Sequence, residues 1–184
     1  MNVVLLPDRF RLDARGNLER LVERARASRV FAGTVNFDDA VWDISAVKPA
    51  RPSAKSKQSP KLYFTVHEER VVRGLDQRTL LTEPFASFVK VMIVLSEEAL
   101  PTAVVNLNTI VRAARALYAV MKAEGRDPAD LVSADFMAAA NWIKTRKTQH
   151  GRVGSKHSLR GLGGGLVKIA EFVNRHSLSK ANIS

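Results

Sequence analysis

The stretch Thr102–Gly125, "TAVVNLNTIVRAARALYAVMKAEG", decides how the chain is read. Val104, Leu107, Val111, Ala114, Tyr118 and Met121 recur in steps of three and four, which puts them on one face of an α-helix. Pro101 and Thr102 open that helix, and Gly125 closes it as a residue suited to the left-handed conformation after a C-cap. Similar signals lie on both sides. Upstream, Thr82 can cap a helix with Pro84 in its first turn, and Phe85, Phe88, Met92 and Leu95 follow at helical spacing. The β-branched run "FVKVMIVL" could form a buried strand, but its length and cap favour the helix. Downstream, Ser133 can cap "ADFMAAANWIKTRK", and Leu159, Leu162, Leu166, Ile169 and Val173 mark a last helix. Four amphipathic helices with short connections predict a helical bundle over 81–184.

The first eighty residues differ. "NLERLVERARAS" is a short amphipathic helix, while "RVFAGTVNF" and "AVWDIS" read as strands around an Asp38–Asp39 turn. "KPARPSAKSKQSPK", near 48–61, combines Pro, Ser and Lys without an apolar face and reads as a linker or exposed loop; "KLYFTV" is a further strand. The expected fold is therefore mainly α, with a small mixed α/β N-terminal module over 1–80 preceding the bundle.

Composition narrows the functional classes. There is no cysteine, so disulfides, thiolate metal sites and cysteine nucleophiles are excluded. No apolar run reaches the ~18 residues of a membrane span, and the start lacks a signal-peptide pattern, so a cytoplasmic protein without membrane contact is expected. His67, His150, His157 and His176 do not form a zinc-chelating pair, and no metal or other cofactor is expected. Glu97–Glu98 reads as a solvated helix end, and Tyr118, Trp42 and Trp142 as core residues, although Trp142 beside lysines could also stack on bases.

Charge is the informative feature. Lys and Arg total 29 against 18 Asp and Glu, a net +11. Residues 1–101 contribute a balance of +3 and residues 102–184 a balance of +8. Much of that excess lies in "NWIKTRKTQHGRVGSKHSLRGLGGGL", Asn141–Leu166, which contains no acid. A helix end accounts for two or three cations through its dipole. Phosphate contact accounts for Lys144, Arg146, Lys147, Arg152, Lys156 and Arg160 together, with Gln149, His150, Ser155 and His157 as additional hydrogen-bonding groups. The stretch also holds Gly161, Gly163, Gly164 and Gly165, which lack the Lys-Ser/Thr of a Walker loop. Three explanations remain open for these glycines: close packing against a neighbouring helix, close approach to a phosphate backbone, and a frayed helix start.

With "TAVVNLNTIVRAARALYAVMKAEG", "DPADLVSADFMAAANWI", a basic connector and "SLRGLGGGLVKIAEFVNRHSLSKANI" in this order, Thr82–Ser184 resembles the N-terminal core-binding (SAM-like) domain of tyrosine recombinases, the phage-integrase family. The resemblance implies a four-helix unit that closes over one face of double-stranded DNA, in the setting of DNA integration or excision of a mobile element. It implies DNA contacts at Lys156, Arg160 and the preceding connector, with Asn106, Arg112 and Arg115 as weaker candidates. The family's catalytic Arg, Lys, His, Arg and Tyr belong to a further domain with no counterpart in this sequence, so strand cleavage is not expected of this chain. Other classes fit the same composition: a standalone DNA-binding regulator, or a helical self-association module, with self-association on DNA also compatible with the first reading.

Overall fold

The computed structural model describes residues 13–31, 33–48, 60–66, 80–145 and 154–184. Among them are five α-helices and a two-stranded antiparallel sheet: α1 (Ala14–Ala27), β1 (Val41–Asp43), β2 (Lys61–Tyr63), α2 (Phe85–Ala99), α3 (Val104–Lys122), α4 (Ser133–Thr145) and α5 (Lys156–His176). The architecture is mainly helical, as expected.

The α1 helix starts where the Asp13 carboxylate accepts the Gly16 N–H at 2.7 Å, and it turns Leu18, Leu21 and Ala25 onto α2. The predicted strand "RVFAGTVNF" is not formed by its described residues, which make turns instead. Gly33 there has φ +77°, and Phe31 and Phe37 fold inward onto Trp42 at ring-centroid distances of 5.7 and 6.0 Å. Aromatic burial outweighs strand propensity at this point. The other two expected strands do pair, with Trp42 opposite Leu62 and Asp43 opposite Lys61. Residues 49–59, most of the expected linker, lie outside the described residues, and this segment joins the two strands of one hairpin.

The core is continuous across the boundary expected near residue 81. Leu18, Trp42 and Phe64 belong to the same buried cluster as Phe88, Leu117 and Ile169. Two polar ties reinforce it: Arg115 of α3 donates to the Tyr63 carbonyl at 2.5 Å, and the Lys48 ammonium donates to the Thr102 carbonyl at 2.6 Å.

The run "FVKVMIVL" is helical, but α2 is not amphipathic. Every residue from Phe88 to Leu95 is buried, as befits a helix enclosed on all sides. Two expected caps are supplied by other residues. Glu83, rather than Thr82, accepts an N–H of α2, from Ser87 at 3.1 Å, because the Thr82 hydroxyl is engaged by Tyr118. At α4 the Asp135 carboxylate accepts the Val132 N–H at 2.8 Å, while Ser133 bonds Ser184. Asp135, only 3% exposed, is neutralised by Arg126. Glu97 is likewise not solvated. It is 5% exposed, pairs with Lys48 at 2.7 Å and accepts the Thr102 N–H at 2.8 Å, drawing Thr102 out of the helix that starts at Val104.

The α3 helix holds the C-terminal half together, with α5, α4 and α2 all packed on it. Its apolar stripe is buried from Leu107 to Met121 as the periodicity requires, Tyr118 included, with Val104 half-buried at its start, and Gly125 takes φ +65° after its end. After α5, Leu178 and Ile183 return to the core, and Lys180 reaches Asp130 at 2.6 Å.

Candidate nucleic-acid interface

The basic stretch flanks the junction of α4 and α5, two helices that pack on each other and on α3. Lys144 is exposed in the last turn of α4, where a cation favourably meets the helix dipole. Arg146, Lys147, Gln149, His150 and Arg152 lie outside the described residues. Ser155 has a definite structural role as N-cap of α5, its hydroxyl oxygen accepting the Ser158 N–H at 3.2 Å. Lys156, His157 and Arg160 follow in the first turns, all exposed.

The electrostatics here are unusual. A helix N-terminus carries partial positive charge and is stabilised by acids, yet the first turn of α5 has none and presents Lys156 and His157 instead. Several cations of the N-terminal half are matched instead: Arg15 with Asp127 at 2.5 Å, Arg24 with Glu98 at 2.7 Å, and Arg26 with Asp38 at 2.6 Å. Among the described residues, Lys144, Lys156 and Arg160 have no ion-pair partner. The far end of α5 is also positive. The half-buried His176 has its pKa held below the ordinary value, first by burial and then by Arg175, Arg24 and Arg20.

The four glycines separate by position. A Cβ on Gly165 would stand 2.8 Å from the Ala113 Cβ and 3.2 Å from the Thr109 carbonyl oxygen, so α5 crosses α3 at this glycine. At Gly161, Gly163 and Gly164 nothing lies within 4 Å of an added Cβ. Close packing therefore explains Gly165 but not Gly163 or Gly164.

Of the weaker candidates, Asn106 and Arg112 are exposed on α3, whereas Arg115 is committed to β2. Trp142 is partly buried against the core. Sequence reasoning passed over Lys168 and Arg175, which are exposed on α5. Their spacing of eight and fifteen residues from Arg160 was the available signal. Among the described residues no group of His, Asp or Glu could hold a metal ion, and no helix is long and apolar enough to cross a membrane. The clefts beside Trp42 and Phe172, about 250 and 200 Å³, are smaller than typical small-molecule sites. Comparison with protein-family models, curated proteins and solved structures found no match.

Proposed function

We propose that the chain binds double-stranded DNA through the α4–α5 junction, as the DNA-grasping part of a tyrosine recombinase acting in integration or excision of a mobile element. In this reading the helices of 81–184 form the SAM-like core-binding unit, and strand cleavage belongs to a separate catalytic domain. The observation that carries the DNA reading is the cationic N-terminus of α5. Lys156 and Arg160 stand at the positive end of a helix with no acid in the first turn and no ion-pair partner among the described residues. Such an arrangement opposes the helix dipole in the free protein and is relieved by an anion. A polyphosphate backbone supplies anions at the required density. An anionic membrane surface fits less well, because Leu166, Ile169 and Val173 of α5 are buried in the core and cannot insert into lipid.

The test is a salt titration of fluorescent-duplex binding. Each phosphate contact contributes about 0.9 to the slope of log K against log salt, so Lys156→Ala with Arg160→Ala should flatten the slope by about two units. Affinity should fall similarly for all duplexes, since phosphate contacts carry no sequence information. A control pair on the N-terminal half, Arg29→Ala with Lys61→Ala, should leave the slope unchanged. If the α5 variant matches wild type in affinity and slope, the basic stretch is only a solvated surface.

A further inference from the structure

The solvent face of α5 is a single stripe running the full length of the helix. Its exposed positions step by three and four from Lys156 to Arg175. Four of them are cations, Lys156, Arg160, Lys168 and Arg175, and none has an ion-pair partner among the described residues. Glu171 is the one acid on the stripe. Between the two cation pairs lie Gly161 and Gly164, exposed and with open space where a Cβ would be. Apart from the exposed Val167 next to Lys168, the middle of the face is thus bare helix backbone, with cations on both sides of it.

Core packing does not explain this arrangement. The opposite face of α5, including Gly165, makes the contacts with the protein. Two exposed glycines each cost the helix about 1 kcal/mol relative to alanine, with no internal contact to offset it. Pairing with a second copy through the same face also fails electrostatically. A two-fold interface pairs this face with itself, which would set the cations of one copy among those of the other.

We infer that α5 seats lengthwise on the duplex, with its glycine-bare centre closest to the DNA and Lys168 and Arg175 contacting a second group of phosphates beyond those reached by Lys156 and Arg160. This rests on the DNA reading above and extends its footprint. From Lys156 to Arg175 the helix rises about 28 Å at 1.5 Å per residue. That distance spans about eight phosphates of one strand at 3.4 Å each. Glu171 lies within the footprint and opposes binding.

The experiment compares wild type with four variants in the same salt titration, thermal unfolding being recorded for each. Lys168→Ala with Arg175→Ala should flatten the slope by about two units, as Lys156→Ala with Arg160→Ala does. Gly164→Gln, which adds a neutral helix-forming side chain to the centre of the face, should weaken binding about tenfold, comparable to one disrupted contact, without lowering the melting temperature. Glu171→Gln should tighten binding. If only the Lys156/Arg160 pair alters the slope and Gly164→Gln binds normally, the lengthwise seat is overturned while DNA binding through the α5 N-terminus stands. If neither cation pair alters it, the DNA reading itself is overturned. Tighter binding to phosphatidylserine vesicles than to duplex at equal ionic strength also overturns the proposal.

Discussion

Alanine at each of three neighbouring glycines in α5 should give opposite signs within one turn of helix. At Gly163 and Gly164 an added methyl meets nothing within 4 Å. The substitution there reduces the conformational freedom of the unfolded chain and should stabilise by about 0.4–1 kcal/mol per site. Each kcal/mol moves the midpoint of a domain this size by about 2–4 °C, so each variant should melt about 1–4 °C higher. At Gly165 the same methyl would stand 2.8 Å from the Ala113 Cβ and 3.2 Å from the Thr109 carbonyl oxygen. Carbon atoms prefer about 3.5–4.0 Å, so α3 and α5 must separate by most of an ångström. Neither opposing atom can rotate away, because one is a Cβ and the other belongs to the backbone. Overpacking of this kind costs about 1–3 kcal/mol, enough to reverse the propensity gain. Gly165→Ala should therefore melt below wild type and below Gly164→Ala by several degrees. Thermal unfolding followed by circular dichroism, with urea titrations for the free energies, measures all three. A double-mutant cycle adds the decisive arm: Ala113→Gly should recover much of the loss caused by Gly165→Ala and none of the gain from Gly164→Ala. Equal melting temperatures for the Gly164 and Gly165 variants would refute the α3–α5 crossing described here.

Two further outcomes test the buried charges. Lys48→Ala leaves Glu97 5% exposed without its partner, and breaking a buried pair in this way should cost about 3–5 kcal/mol in urea unfolding; a loss below about 1 kcal/mol would place Glu97 in water. Lys90 is 3% exposed, with its ammonium 5.6 and 5.3 Å from the centroids of the Phe37 and Phe64 rings, and burial holds its pKa below the ordinary lysine value despite the opposing pull of Glu83, Asp38 and Asp39. The unfolded chain therefore keeps the lysine proton in the interval between the folded pKa and about 10.4, and wild-type stability from this group rises with pH across that interval. Lys90→Met should be more stable than wild type by about 1 kcal/mol at neutral pH, since an apolar replacement removes the burial cost of the charge. That advantage should shrink as the pH approaches the lysine range; a variant less stable than wild type at neutral pH would contradict the reasoning.

Where the fold was legible in the sequence, one interaction dominated. Periodic burial on a packed face placed α1, α3 and α5 correctly, because side-chain spacing alone decides which face turns inward. Three features depended on contacts distant in sequence. Phe31 and Phe37 leave an expected strand to pack on Trp42. Thr82 gives up its cap to bond Tyr118, thirty-six residues away. Glu97 is buried because Lys48 comes from the other half of the chain. For the candidate interface, acid-free charge was visible as composition, but not the division of the glycines, which depends on where α3 crosses α5. The continuation of the stripe to Lys168 and Arg175 was carried only by their spacing from Arg160, since the local charge density there is ordinary.

The Lys48–Glu97 pair has a topological consequence. Lys48 is held at the α2–α3 corner, where its ammonium also donates to the Thr102 carbonyl at 2.6 Å, and at the other end of the segment the Pro60 carbonyl accepts the Ile44 N–H at 2.9 Å. Both ends of the Pro-Ser-Lys segment are thus anchored independently of what lies between them. Lengthening the connection between two such anchors costs little, because doubling a closed loop adds only about 0.6 kcal/mol. This is the position at which a foreign peptide could be displayed, or new termini opened in a circular permutant, with both anchors left in place.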